Sequence, residues 1–184
     1  MTRILPLDEL NVLKSEYEAY GDKPIADIFS LADIVDDLLD LFMLAVANGV
    51  ASINEKFGAD YQPSGEQIED VVYKKIDGKD WQDRVIDWYV NNGTGSDIVR
   101  IAETESHRIG NEIADTAARK VGATRKTWLT MLDDKVRDTH VYLESVSVGI
   151  SDDFYTYDND HAPYPGAFGK ATNNIGCRCE VEYS

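Results

Sequence analysis

An α+β chain is predicted here, helical through its first half and closing in a small mixed module, and three observations predict it. Ile34, Leu38, Leu41, Phe42, Ala45, Gly49 and Ile53 recur at helical spacing, and Ile98, Ile101, Ala102, Ile109, Ile113, Ala117 and Val121 do the same later. After Gly122 the period shortens to two, with Lys126, Trp128, Thr130 and Leu132 alternating against Thr127, Leu129 and Met131, as in a half-buried strand. Between the two regimes lies Asn92-Gly93-Thr94-Gly95, a joint that divides a helical region, residues 1–92, from a module with a long leading helix, residues 97–184.

Each element has its own signal. Residues 7–20 form a short amphipathic helix ended by Gly21 and Pro24. Ser30, with Asp33 three residues on, caps the longest helix, which Gly58 stops after about 27 residues, roughly 40 Å at the usual rise. Ser64 and Gln67 open the next helix with a capping box, and Asp77-Gly78 breaks it. Trp81, Val85, Trp88 and Tyr89 make an aromatic stripe set among Asp80, Asp83 and Asp87, which suits core packing better than base stacking. Ser96 is the expected cap of the helix that Gly122 terminates. Beyond the strand at 126–132, residues 136–143 read as a short helix, and 146–148, 154–157 and 177–183 as strands.

Composition narrows the class. With 43% hydrophobic and 28% charged residues in 184, the chain has material for a real core and no disordered tract. Its most apolar stretch, residues 38–47, is interrupted by Asp40 and is far shorter than the roughly 20 residues a bilayer span needs, so no membrane partner is expected. Residues 1–8 carry no apolar signal-peptide core, which predicts residence where the chain is made. A net charge of −16 disfavours generic coating of nucleic acid. Arg119, Lys120, Arg125 and Lys126 are the one basic cluster, read either as cations complementing a helix C-terminus or as a local phosphate contact to DNA.

The residues that could carry chemistry gather late. In an extended segment, residues two apart face one way, so Cys177 and Cys179 present both thiols to one side and Arg178 to the other. A disulfide between them is disfavoured by their separation along an extended chain. With His140 and, as fourth donor, His161, they form a candidate zinc site, zinc being the only cofactor the sequence suggests. The other reading is that both thiols pack as small apolar groups while His140 hydrogen-bonds inside the module. A catalytic version uses Cys177 as nucleophile with His140 as base, or His140 with Asp138 and Arg137 on a phosphodiester. Arg137 beside Asp133, Asp134 and Asp138 also reads as a salt-bridge hub. Because no phosphate-binding, nucleophile-elbow or dinucleotide motif is present, the expectation is a non-enzyme with no catalytic residue assigned.

Lys126-Thr127-Trp128, Asp133 or Asp134, Val136-Arg137, His140, Leu143, Asp153 (or Asp152), Phe154, Pro165-Gly166 and Cys177-Arg178-Cys179 follow one another at characteristic intervals. In that order and near those intervals, residues 97–181 resemble the C-terminal domain of the Mu F-like minor head morphogenesis proteins of tailed bacteriophages. The resemblance extends upstream to Arg100, Ala102, Thr104 and Glu105. Departures fall at Glu144-Ser145, Ala167 and Gly176, away from the Trp, Arg, His and Cys positions. The resemblance implies a structural motif built on Trp128, Asp133, Arg137, His140, Phe154, Pro165, Cys177, Arg178 and Cys179. It further implies a minor head protein of a phage or prophage, acting in head morphogenesis at the portal and in genome packaging or ejection. The implied partners are the portal and other capsid proteins, and the implied location is the virion head interior or the host bacterial cytoplasm. Modules of this kind are also found fused to effectors, so the alternative is a small enzyme or toxin-like module, a nuclease or transferase, using His140 and the Cys177/Cys179 pair.

Overall fold

Ser30 and Gly58 bracket the longest helix as their chemistry dictates. Ser30 Oγ accepts from the Asp33 N–H at 3.1 Å, and Gly58 takes the left-handed conformation at φ 60° that ends the run. The computed structural model describes residues 4–184; the signal-peptide expectation rests partly on residues 1–3, which lie outside the described residues. Among the described residues five α-helices come first, α1 (Leu7–Glu18), α2 (Leu31–Phe57), α3 (Gly65–Val72), α4 (Trp81–Val90) and α5 (Gly95–Lys120), with a 3-10 turn at Ile25–Asp27 between α1 and α2. The module then runs β1 (Arg125–Leu129), α6 (Asp138–Val141), β2 (Ser147–Gly149), β3 (Phe154–Tyr155), β4 (His161–Ala162), α7 (Ala171–Asn174) and β5 (Glu180–Tyr183). The fold is α+β with a helical N-terminal region, as the change of period predicted. Among the described residues no helix is long and apolar enough to cross a membrane.

Helices α2 and α5 form the spine. They approach so closely that a Cβ on Gly49 would lie 2.7 Å from the Gly110 carbonyl and 2.5 Å from the Ile113 side chain. Around this crossing Tyr17, Ile34, Leu38, Phe42, Trp81, Val85, Ile98 and Ile109 are buried in one core, each large apolar side chain contributing about 1.5–3 kcal/mol. The aromatic stripe of α4 serves packing: Trp81 lies edge-on to Phe42 at 5.1 Å.

Several boundaries differ from the sequence reading; α6, for one, spans only Asp138–Val141 rather than 136–143. Helix α5 begins at Gly95 rather than after Ser96, with the Asp97 carboxylate accepting from the Thr94 N–H at 2.9 Å. Gly95 permits this, because a Cβ there would sit 1.9 Å from the Tyr17 carbonyl oxygen. Residues 92–95 are also tied to the helical region by the Ile25 N–H donating to the Gly93 carbonyl at 2.7 Å. The last strand begins at Glu180 rather than Cys177, because only residues 180–183 pair with β1.

In the module, β1 is the central strand of an antiparallel sheet ordered β2-β1-β5, with Trp128 opposite Val181 and Lys126 opposite Val148. The β3-β4 hairpin stands apart. Trp128, Phe154, Phe168, Cys177, Cys179, Val181 and Tyr183 form a second core, and Ala114, Ala117 and Ala118 of α5 pack into it. The same helix thus contributes to both cores.

Candidate functional site

The period-2 pattern of β1 sends Trp128 inward, and Trp128 builds the wall of the site. Its ring is edge-on to His140 at 5.4 Å and to Phe154 at 5.1 Å, and tilted against Phe168 at 5.7 Å. His140 sits in the one-turn helix α6. Just before it, the Arg137 guanidinium donates to the Asn173 carbonyl at 3.2 Å and to the Ile175 carbonyl, while Thr139 Oγ1 donates to Asn173 Oδ1 at 2.9 Å. These bonds fasten α6 to α7, the helix that leads into Cys177. Gly176, at φ 66°, then turns the chain, and the Cys177 N–H donates to the Asn174 carbonyl at 3.0 Å.

A buried carboxylate fixes the far side of α7. Asp160 accepts from Asn173 Nδ2 at 2.9 Å and from the N–H groups of Gly169, Lys170 and His161, each at 3.0 Å. Burial alone would raise its pKa, but these donors hold it below the ordinary carboxylate value. Pro165 and Gly166 are buried where the preceding loop backs onto α5; Gly166 has φ 90° and no Cβ to press on Arg108.

The result is a three-donor cluster. His140 Nδ1 lies 3.5 Å from Cys177 Sγ and 3.6 Å from Cys179 Sγ, the three donor atoms are within 4.8 Å of one another, and all three residues are buried. Zn–S and Zn–N bonds of about 2.3 and 2.05 Å at a tetrahedral angle put sulfur and nitrogen roughly 3.5–3.6 Å apart. The donor set and its spacing fit a metal ion, and these residues could hold one. Both thiols are free, not bridged. The Cys179 thiol, donating to Cys177, draws the Cys177 pKa well down despite burial, with help from His107 and His140. Cys179 itself is pushed up by that same bond and by burial.

His107 of α5 supports the cluster from behind. Its Nε2 donates to the Cys179 carbonyl at 2.5 Å, and Asn111 Nδ2 lies 3.1 Å from the same nitrogen. Sequence reasoning assigned His107 no role. The signal that could have found it is the shared helical face of His107, Asn111 and Ala114, which the module covers.

Several expected site residues lie elsewhere. His161 does not join the cluster: it is exposed on β4, where its Nδ1 meets Asp153 at 2.7 Å and its ring stacks on Tyr155. Arg137 is not the hub of Asp133, Asp134 and Asp138, since its guanidinium is spent on carbonyls; Arg178 takes Asp133 instead, at 2.7 Å. The basic cluster is dispersed. Lys126 is wholly buried, 5.6 Å over the Phe154 ring, and so cannot meet a phosphate. Arg119 is held by Asp115 at 2.6 Å and Arg125 by Ser147.

No family model and no solved structure matches this chain. A curated protein does: NAD(+)--arginine ADP-ribosyltransferase EFV of Enterococcus faecalis, 32% identical over 85 residues. The match covers 44% of this chain and spans only 17% of the relative's length. It corrects the expectation of head morphogenesis at the portal, which followed the phage resemblance, and the expectation of a non-enzyme, which followed the lack of a catalytic motif, because the relative is named for a transferase reaction.

Proposed function

We propose that this chain is a toxin-like module of the transferase class, with His140, Cys177 and Cys179 holding a zinc ion at its functional centre. The observation that carries the proposal is the cluster itself: two sulfurs at tetrahedral-edge distance from one imidazole nitrogen, with His107, Asn173 and Asp160 fixing the segments that bear them. The transferase class rests on the relative's name. The Mu F-like likeness of residues 97–181 is retained as a proposed family relation of the module, supported by the way Trp128, Phe154, His140 and both cysteines share one core.

Bound there, zinc would supply a Lewis-acidic centre and a cross-link between α6 and the segment before β5. The protein's own part is to exclude water with Trp128 and Phe168, and to keep Nδ1 rather than Nε2 toward the sulfurs. The reaction to test is the one in the relative's name, transfer of ADP-ribose from NAD+ to an arginine guanidinium with release of nicotinamide.

The experiment purifies the chain without chelator, measures metal by elemental analysis, and assays zinc-loaded and metal-free protein with NAD+ and an arginine-rich acceptor. The expected result is about one zinc per chain and transfer that His140→Ala abolishes while the fold persists. Metal-free protein whose cysteines tolerate serine would reduce the cluster to packing. Zinc-loaded protein without transfer would remove the transferase assignment and leave the metal centre.

A further inference from the structure

We infer that the fourth coordination position of this centre is open and takes a terminal oxyanion, a carboxylate or phosphate oxygen, from a molecule held at a cationic rim. The inference rests on the zinc reading above and specifies what completes it. Three observations lead there.

First, the protein supplies no fourth donor: among the described residues the group of potential ligands stops at His140, Cys177 and Cys179. His161 is engaged with Asp153 on the exposed hairpin, and the Nε2 of His107 is engaged with a carbonyl. A closed structural zinc site has four protein ligands, whereas three leave a position for water or substrate.

Second, the cluster is sealed on one side and open on another. Trp128 and Phe168 cover the imidazole. On the other side His140, Cys177 and Cys179 themselves line a pocket of about 10 Å³, close to the smallest space that admits one water. A single donor atom can enter, and the rest of any ligand must remain outside.

Third, the mouth of that pocket is cationic in an otherwise acidic protein. Lys135, Arg137 and Arg178 line it beside Met131 and Gly176, against a net charge of −16 for the whole chain. Asp133 offsets Arg178, while Arg137 is held by backbone carbonyls and keeps its full charge. A zinc ion with two thiolates and a neutral imidazole carries no net charge, so an entering carboxylate adds one negative charge and a phosphate between about one and two. The rim is placed to balance it.

The test uses the full chain loaded with Co(II), whose thiolate charge-transfer and ligand-field absorption report the donor set and the coordination number. Acetate and inorganic phosphate are titrated separately, which tells a carboxylate-selective position from a phosphate-selective one. Either titration should saturate and shift the ligand-field bands without loss of the charge-transfer band. In Lys135→Gln, an exposed rim position that carries no metal donor, the apparent affinity should fall roughly two- to fivefold, with the Co(II) spectrum before anion unchanged. A four-coordinate spectrum insensitive to both anions at all concentrations overturns the open position. Failure of Co(II) to develop a thiolate band at all overturns the zinc reading, and this inference with it.

Discussion

Replacing Trp128 with alanine tests whether the site is held by its aromatic wall. The side chain is fully buried and touches His140, Phe154 and Phe168. A tryptophan buries on the order of 150–250 Å², which at about 25 cal/mol per Å² amounts to roughly 4–6 kcal/mol of transfer free energy. Two effects reduce this. The unfolded chain already hides part of that surface, and the buried indole N–H has no hydrogen-bond partner among the described residues, so its removal relieves part of a penalty of about 1–3 kcal/mol. The cavity left behind acts in the other direction. The expected loss is about 3–4 kcal/mol, within the range for large aromatic truncations, or a fall in Tm of about 6–16 °C for a chain of this size. Calorimetry and urea titration of metal-free protein measure it without interference from zinc. A loss below about 1 kcal/mol would refute the reasoning, since no fully buried tryptophan at the centre of three ring contacts can be that cheap to remove.

Three further outcomes are expected. Lys126→Met should cost less than about 1 kcal/mol or stabilise, because Asp115 keeps Arg119 as partner and a buried ammonium is exchanged for a packed thioether. Burial holds the folded pKa of Lys126 below the ordinary 10.5, against the pull of Asp115; its charge penalty is therefore full below the folded pKa and fades as pH rises toward 10.5, so the variant's advantage should be larger at pH 7 than at pH 10 by thermal denaturation. Asp158, drawn down to about 2 first by Thr156 and then by Lys170, adds stability that is complete above the ordinary carboxylate pKa and vanishes as pH falls through 2; the difference between wild type and Asp158→Asn should shrink from pH 5 to pH 2, and a constant difference would contradict it. Gly49→Ala should destabilise by about 1–3 kcal/mol, because its Cβ meets the Gly110 carbonyl at the α2/α5 crossing, and an unchanged urea midpoint would show that the helices part without cost.

What the sequence disclosed depended on the range of the forces involved. Helix ends governed by local chemistry were legible: Ser30 with Asp33, Ser64 with Gln67, and Gly58 each act within one turn. The start of α5 was misplaced by two residues because the deciding contact, Gly95 against Tyr17, spans most of the helical region. The convergence of His140 with Cys177 and Cys179 could be anticipated from the like-facing thiols, although they precede β5 rather than lie in it. His161 was drawn into the cluster by residue type alone, and its neighbours Asp153 and Tyr155 took it instead. Lys126 is the instructive miss. The alternation that sends Trp128 inward also sends Lys126 inward, two residues away on the same face, and counting it in a surface charge cluster ignored the strand.

The site depends on α5 in a way that neither its composition nor its caps disclose. One face of the helix packs on α2 through Ile98, Ile109 and Ile113, and the turns around His107 and Ala114 face the module. Glu105 and Arg108, both buried and joined at 2.7 Å, lie between these faces, with Arg84 of α4 on the same carboxylate and the Val71 carbonyl on Arg108. Each charge thus has its partners, and burying them fixes the rotation of α5 rather than adding much net stability. That rotation sets where His107 meets the Cys179 carbonyl, and hence where the second sulfur stands relative to His140. A twist of the helix that left every apolar contact tolerable would still move Cys179 away from a tetrahedral edge, so the buried ion network of the helical region belongs to the geometry of the cluster.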